Sequence, residues 1–348
     1  MSTSLTVAVA GATGAVGREM LSTLEARDFP AAKVVALASS RSAGMKVPFK
    51  GGELTVQEMT ENSFEGVDIA LFSAGGGTSE KFAPYAVKSG CVVVDNSSAW
   101  RMNDRCPLVV PEVNGHALAR HKGIIANPNC STIQMVVALQ PLHKAASIKR
   151  VVVSTYQAVS GTGQKAIAEL EKQVRQMFNL QEPEAEVYPH RIAFNCLPQI
   201  DVFMENGYTK EEMKMVHETV KIMEDPKIKV TATAVRVPVF YGHSESLNIE
   251  FENPLSAKQA RGILSIAPGI VVLDNPAEKI YPMPIQAAGE DEVFVGRIRD
   301  DESQPNTLNM WVVSDNIRKG AALNTVQIAE RLLQDNLVRV PNPSEFLN

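Results

Sequence analysis

Cysteine is scarce in this chain of 348 residues, which carries only Cys91, Cys106, Cys130 and Cys196. No two of them stand in a CxxC spacing and no histidine cluster accompanies them, so neither a metal ligand set nor a disulfide framework is indicated, and reduced thiols in a cytosol fit best. Apolar runs long enough to span a bilayer are also missing. The N-terminus lacks a basic leader segment, and its apolar run from Leu5 to Val16 is broken by Gly11 and Gly14, which suits a strand and a turn rather than an export signal. A cytoplasmic protein without a membrane partner is expected. There is no Lys/Arg block and no basic stripe with interleaved aromatics, and the formal net charge is -5, which argues against broad nucleic-acid binding. Internal repeats are absent. What remains, at 45% hydrophobic and 21% charged, is globular material long enough for two domains, each with its own core.

The first half reads as strand, glycine loop and helix. Leu5 to Ala10 predicts a buried strand, Gly11-Ala12-Thr13-Gly14-Ala15-Val16-Gly17 a tight turn, and Arg18 to Arg27 a helix. Glycines without Cβ atoms let the main chain approach a pyrophosphate, and the free amides of a helix N-terminus hold its charge. A structural turn needs the same residues. The spacing is GxxGxxG, not the commoner GxGxxG. After a second strand, Lys33 to Ala38, an enzyme built for NAD places an acid against the ribose 2′-hydroxyl. Here Ser39-Ser40-Arg41-Ser42 offers a cation and hydroxyls, suited to a 2′-phosphate and therefore to NADP; a solvated turn arginine is the alternative. Strands from Asp68 to Phe72 and Cys91 to Val94 lead into loops at Ser73–Gly77 and Asp95–Arg101, and the alternation of strand and helix predicts a parallel, doubly wound sheet. Arg101 suits either a phosphate or a surface ion pair.

In Asn127-Pro128-Asn129-Cys130-Ser131-Thr132 a cysteine stands at the mouth of a predicted apolar helix, Ser131 to His143. Amides at a helix N-terminus favour thiolate, the form that attacks carbonyl carbon. Taken singly, the same position suits an inert buried cysteine. Lys149 to Thr155 predicts a strand running into Gln157 and the turn Ser160-Gly161, followed by a helix from Gln164 to Phe178. Tyr208 to Met223 looks helical, with Glu211 and Lys214 on one face, a spacing typical of a solvated ion pair. Lys229 to Phe240 alternates as a strand carrying Arg236, which has the chemistry to grip a carboxylate. His243 precedes another strand, Leu247 to Phe251, and suits a general acid/base or an ordinary polar role. Thr307 to Val313 predicts a strand and Ala321 to Leu337 a helix. The expected division is residues 1–128 with 317–340 for the cofactor, 129–316 for catalysis and dimerisation, and a loosely ordered tail at 341–348.

GATGAVG, SSRS, NPNCST, YQAVSGTG, the EEMK helix and RVPVFYGHSES occur in that order, and together they closely resemble aspartate-β-semialdehyde dehydrogenase of the bacterial type, from about Val7 to the final helix. The resemblance implies an α/β fold: an N-terminal Rossmann-like doubly wound domain plus an α+β catalytic and dimerisation domain. It implies NADPH-dependent reductive dephosphorylation of L-aspartyl 4-phosphate to L-aspartate 4-semialdehyde and phosphate, toward lysine, diaminopimelate, threonine, methionine and isoleucine. It makes Cys130 the nucleophile that carries an acyl-thioester, His243 the general acid/base and Gln157 the group that orients substrate. Arg236 takes the α-carboxylate, Glu211 the amine, and Arg101 with Lys214 the phosphate. Gly11, Thr13, Gly14, Ala15, Val16, Arg41 and Ser42 hold NADP, with Ser160, Gly161 and Asn316. Asn129 joins main-chain amides as the expected oxyanion group. A homodimer or tetramer is implied. Two rival readings are an N-acetyl-γ-glutamyl-phosphate reductase-like enzyme, whose cysteine motif reads closer to GNCYPT, and an inactive homologue with an assembly role.

Overall fold

The computed structural model describes residues 5–341, so the tail expected at 341–348 lies, beyond Pro341, outside the described residues. Two compact units account for the chain: Met1–Asn129 with Ala321–Asn348, and Cys130–Gly320.

The first unit has strands β1 (Thr6–Ala10), β2 (Lys33–Ala38), β3 (Lys46–Phe49), β4 (Gly52–Thr55), β5 (Gln57–Glu58), β6 (Ile69–Phe72), β7 (Val92–Asp95) and β8 (Ile124–Ala126). Six of them form a wholly parallel sheet in the order β5-β2-β1-β6-β7-β8, while β3 and β4 pair as a separate hairpin. Strands covered on both faces read as unbroken apolar runs, as Ile69-Ala70-Leu71-Phe72 does. Alternate residues of β1 feed two separate cores: Val7 and Val9 pack with Met20, Leu21 and Leu24 of the helix Ala15–Ala26, and Ala8 and Ala10 pack with Phe64, Phe72 and Ala83. The chain winds outward from β1 in one direction through β2 and in the other through β6, so the loops after β1 and β6 face each other at the switch point.

The second unit contributes β9 (Ile148–Gln157), β10 (Lys229–Arg236), β11 (His243–Phe251), β12 (Ile270–Val272), β13 (Val293–Asp300) and β14 (Thr307–Ser314), in the mixed order β10-β9-β11-β14-β13-β12. The helix Cys130–Ala146 turns directly into β9 through Ser147, whose φ of 53° makes the reversal. It packs along β9, β11 and β14. A helix of this length spans about 25 Å and β9 about 33 Å. Cys130 is thereby returned to the end of the sheet where β9 finishes at Gln157. The helix Lys210–Met223 and β10 form a similar hairpin, which brings Glu211 toward the end where Arg236 closes its strand.

The doubly wound N-terminal sheet and the α+β second unit are the fold class expected. Element ends differ in places. The apolar helix begins at Cys130 itself. The strand expected from Lys229 to Phe240 stops at Arg236, because Pro238 has no N–H for a ladder. The one expected from Leu247 begins at His243, because its inward positions there are polar. The segment Ser73–Gly77, read as loop, already contains the start of a helix, Gly76–Lys88.

Candidate active site

In the first unit, Gly11 has φ of 88°, and a Cβ there would stand 2.4 Å from the Ser73 carbonyl oxygen across the switch point. A Cβ on Gly17 would stand 2.1 Å from the Gly11 oxygen. Both positions therefore require glycine, and the loop is drawn tight by Gly14 N–H donating to the Gly11 carbonyl at 3.0 Å. The helix that follows has no side-chain cap and no acid in its first turn, so its leading amides face no built-in negative charge. Arg41, in the exposed 3₁₀ turn Ser40–Ser42 after β2, has no hydrogen-bond or ion-pair partner among the described residues. This donor set fits a pyrophosphate and a second phosphate. Arg101 is buried, and its Nε and Nη2 donate at 3.0 Å to the carbonyls of Asn127 and Asn96. Asn127 donates in turn to Asn96 Oδ1 at 2.7 Å, which braces the segment leading into Asn129.

The second unit collects the remaining residues at one end of its sheet. Cys130 is half-buried at the first helical position, with Gly320 against it: a Cβ at 320 would lie 2.9 Å from that of Cys130. No acidic residue occupies the first turn of this helix, so its amides favour an anion at the sulfur or at an oxygen bound nearby. Gln157 is buried at the last position of β9, and its Nε2 donates to Thr155 Oγ1 at 3.2 Å and Glu211 Oε1 at 3.4 Å. Arg236 ends β10 opposite Gln157 in register. Its Nη1 donates to the Ala158 carbonyl at 2.7 Å, its guanidinium lies 6.0 Å from the centre of the Tyr188 ring, and its Nε is buried with no partner. A buried guanidinium with an idle N–H is poised for an anionic ligand.

His243 opens β11 and is fully buried. Its Nδ1 accepts the Ala158 N–H at 3.0 Å, and its Nε2 has no partner. Burial, followed by the charge of Arg236, holds its pKa well below the usual histidine range. Gly161 leaves room beside both groups, since a Cβ there would be 3.2 Å from His243 Nε2 and 3.1 Å from Arg236 Nη1. Asn316 ties the surrounding turns together: its Nδ2 donates to Ser160 Oγ at 3.0 Å and its Oδ1 accepts the Gly242 N–H at 2.9 Å. Ser160 and Asn316 thus spend polar groups on ordering the turn before His243.

Glu211 and Lys214 are not the solvated pair that their spacing suggests. Glu211 is buried, and Lys214 Nζ donates to Glu211 at 3.0 Å and to Asp201 at 2.9 Å. Burial opposes the ammonium charge, but these two carboxylates prevail and raise its pKa. Asp201 in this partnership was not foreseen, since only the fold brings it to Lys214. Glu245, two residues beyond His243 on the same face of β11, was also missed; it is completely buried and neither of its oxygens has a partner.

Residues 6–121 match the semialdehyde dehydrogenase NAD-binding domain family, and residues 139–319 match the semialdehyde dehydrogenase dimerisation domain family. Aspartate-semialdehyde dehydrogenase of Aquifex aeolicus is 60% identical over 95% of this chain and 99% of its own length. The crystal structure of aspartate semialdehyde dehydrogenase II from Vibrio cholerae, complexed with ASA, superposes with a TM-score of 0.93 at 50% identity, covering 96% of this chain and 99% of that one. The Candida albicans aspartate semialdehyde dehydrogenase, solved with NADP, gives 0.74 at 26% identity over 96% and 99% of the two chains.

Proposed function

The chain belongs to the aspartate-semialdehyde dehydrogenase family, an oxidoreductase family with a Rossmann nucleotide domain, and from that premise we propose that it reduces L-aspartyl 4-phosphate to L-aspartate 4-semialdehyde with NADPH, releasing phosphate. The observation that carries the reading is Cys130 at the first position of a helix with no acid in its first turn, at the same end of the sheet as Gln157, Arg236 and His243.

The Cys130 thiolate attacks the acyl carbon, a C–S bond forms, and the bond to the phosphate oxygen breaks. The phosphate leaves with the proton that the thiol has lost. Arg236 holds the substrate α-carboxylate, its idle Nε giving one of two parallel bonds, while Glu211 meets the amine and Gln157 orients the acyl group. Lys214 and Arg101 are assigned to phosphate. Lys214 reaches it by exchanging one of its two carboxylates, and Asp201 is the more exposed of them. Gly11, Thr13, Gly14, Ala15, Val16, Arg41 and Ser42 would hold NADP, which when bound supplies the hydride that the Cys130 thioester accepts. Ser160, Gly161 and Asn316 are carried with that set by the resemblance. Collapse of the thiohemiacetal frees aldehyde and thiolate, with His243 serving the oxygen and Asn129 joining the amides that face it.

The proposed reaction would stand at the branch toward lysine, diaminopimelate, threonine, methionine and isoleucine. The match to a dimerisation domain supports a homodimer or tetramer. A cytoplasmic setting accords with four cysteines that form no disulfide among the described residues. The test is the reverse reaction: protein, aspartate semialdehyde, NADP and inorganic phosphate, followed by the absorbance of reduced cofactor. Phosphate-dependent signal that disappears in Cys130→Ser is expected. Signal without phosphate overturns the reading in favour of a hydrolysing aldehyde dehydrogenase.

A further inference from the structure

We propose that Tyr188 is a positioning residue for substrate selection: its ring backs the Arg236 guanidinium and holds it ready for an α-carboxylate, so that the loop carrying Tyr188 helps the protein choose a substrate with that group over one without it. The inference deepens the reading of Arg236 as the carboxylate clamp and rests on it. Tyr188 lies outside every motif that carried the resemblance.

Tyr188 stands in the long connection between the helix Gln164–Phe178 and the helix Lys210–Met223, and regular structure is nearly absent there. The connection is nonetheless latched on both sides of Tyr188 by two buried side chains of the first helix. Before it, Glu169 Oε2 accepts the main-chain N–H of Glu186 at 3.0 Å and that of Val187. After it, Gln173 Oε1 accepts the N–H groups of Ile192 and Ala193, both at 3.0 Å. Gln173 Nε2 joins the two halves, donating to Glu169 Oε1 at 3.1 Å and to the Glu184 carbonyl at 2.9 Å. Ile192 and Ala193 are buried with Val159, Ala166 and Leu170, and Tyr188 packs against that cluster. Acceptors buried in this way hold a loop far more firmly than a solvated turn would.

The side chain is aimed from its far end as well. Tyr188 Oη donates to Thr162 Oγ1 at 3.0 Å, in the turn that also carries Ser160 and Gly161. Between these anchors the ring centre lies 6.0 Å from the guanidinium carbon of Arg236, within reach of a cation–π contact. Burial, against which the charge of Arg236 works, raises the Tyr188 pKa, so the group facing the cation is a neutral phenol. No carboxylate among the described residues bonds Arg236, whose one hydrogen bond runs from Nη1 to the Ala158 carbonyl. The choice of partner matters. A carboxylate would spend the N–H groups that an incoming α-carboxylate needs, whereas an aromatic face attracts the guanidinium and leaves its edge free. Arg236 Nε is the group so spared, buried and without a partner.

The test compares two aldehydes in the reverse reaction with saturating NADP and phosphate: L-aspartate 4-semialdehyde, and 3-aminopropanal, which is the same molecule without its α-carboxylate. Wild type should favour the first. Tyr188→Leu should raise KM for aspartate semialdehyde about 3- to 30-fold, the span of a cation–π contact, with kcat within about twofold and with kcat/KM for 3-aminopropanal unchanged. Tyr188→Phe keeps the ring and should stay within about twofold of wild type on both substrates. A leucine variant that discriminates as wild type does overturns the proposal, and so does one that loses equally on both aldehydes, which is the result of a merely structural role. A phenylalanine variant as impaired as leucine overturns the role of the ring. Failure of the underlying reading looks different: a wild type indifferent to the carboxylate removes the Arg236 clamp and the proposal with it, whereas a discriminating wild type beside an unaffected leucine variant removes Tyr188 alone.

Discussion

Gly17→Ala is a sharp probe of the glycine loop, because the obstruction is backbone on every side. The new Cβ would meet the Gly11 carbonyl oxygen at 2.1 Å, the Gly11 carbonyl carbon at 2.8 Å and Ala12 Cα at 2.9 Å. A carbon and an oxygen in contact need about 3.3 Å, so loop and helix start must part by roughly 1.2 Å. That displacement carries a well-formed N–H···O bond from about 2.9 Å to about 4 Å, outside hydrogen-bonding range. Losing one bond to a charged phosphate costs about 1.5–3 kcal/mol, which corresponds to NADP affinity weaker by about 10- to 150-fold. The strain also destabilises the fold by about 1–3 kcal/mol, lowering Tm by about 2–4 °C for each kcal/mol in a domain of this size. Titration calorimetry with NADP and a thermal melt measure the two effects. Gly14→Ala is the control for the fold: its Cβ would find its nearest neighbour at 3.4 Å, an ordinary contact, so Tm should stay within about 1 °C. Unchanged Tm in Gly17→Ala would show the close approach to be misread. A lower Tm with unchanged NADP affinity would show that the loop is not the cofactor cradle.

Arg41→Ala should erode the preference for NADP over NAD, measured as the ratio of kcat/KM for the two cofactors, and an unaltered ratio removes Arg41 from the 2′-phosphate site. Asn129→Ala should slow kcat on the order of 10²-fold if its amide serves the oxyanion; an unchanged rate rejects that role. Glu245→Gln addresses stability. Burial raises the Glu245 pKa above its unfolded value of about 4.3, so the native state keeps a proton that the unfolded chain gives up. The stability from that proton is fully present below about pH 4.3 and is lost as pH rises toward the folded pKa. Glutamine has no proton to lose, so the Tm of Glu245→Gln relative to wild type should climb between about pH 5 and about pH 8. A difference that stays constant with pH contradicts this.

Periodicity made much of the fold legible. The strand Lys33–Ala38 and the helix Gln164–Phe178 have the ends that the sequence predicts, because their apolar positions repeat cleanly and glycine or polar residues bound them. The helix Gly76–Lys88 was hidden by Gly75-Gly76-Gly77, which read as loop, and by Pro84 within it. The start of β11 was hidden for a more informative reason: its inward-facing residues are His243 and Glu245, so the alternation of buried and exposed positions no longer coincides with apolar and polar ones. The motifs pointed to Cys130, Gln157, Arg236 and His243, and two helix–strand hairpins explain why these fall at one end of a sheet. The partnership of Lys214 with Asp201, thirteen residues apart in sequence and joined only by the fold, had no local signal.

The most direct measurement of the central claim is the mass of intact protein quenched during turnover with aspartate semialdehyde, NADP and limiting phosphate. An added aspartyl group, located by peptide mapping on Cys130 and absent from Cys130→Ser, is the expected result. Steady turnover with Cys130 never acylated would contradict it.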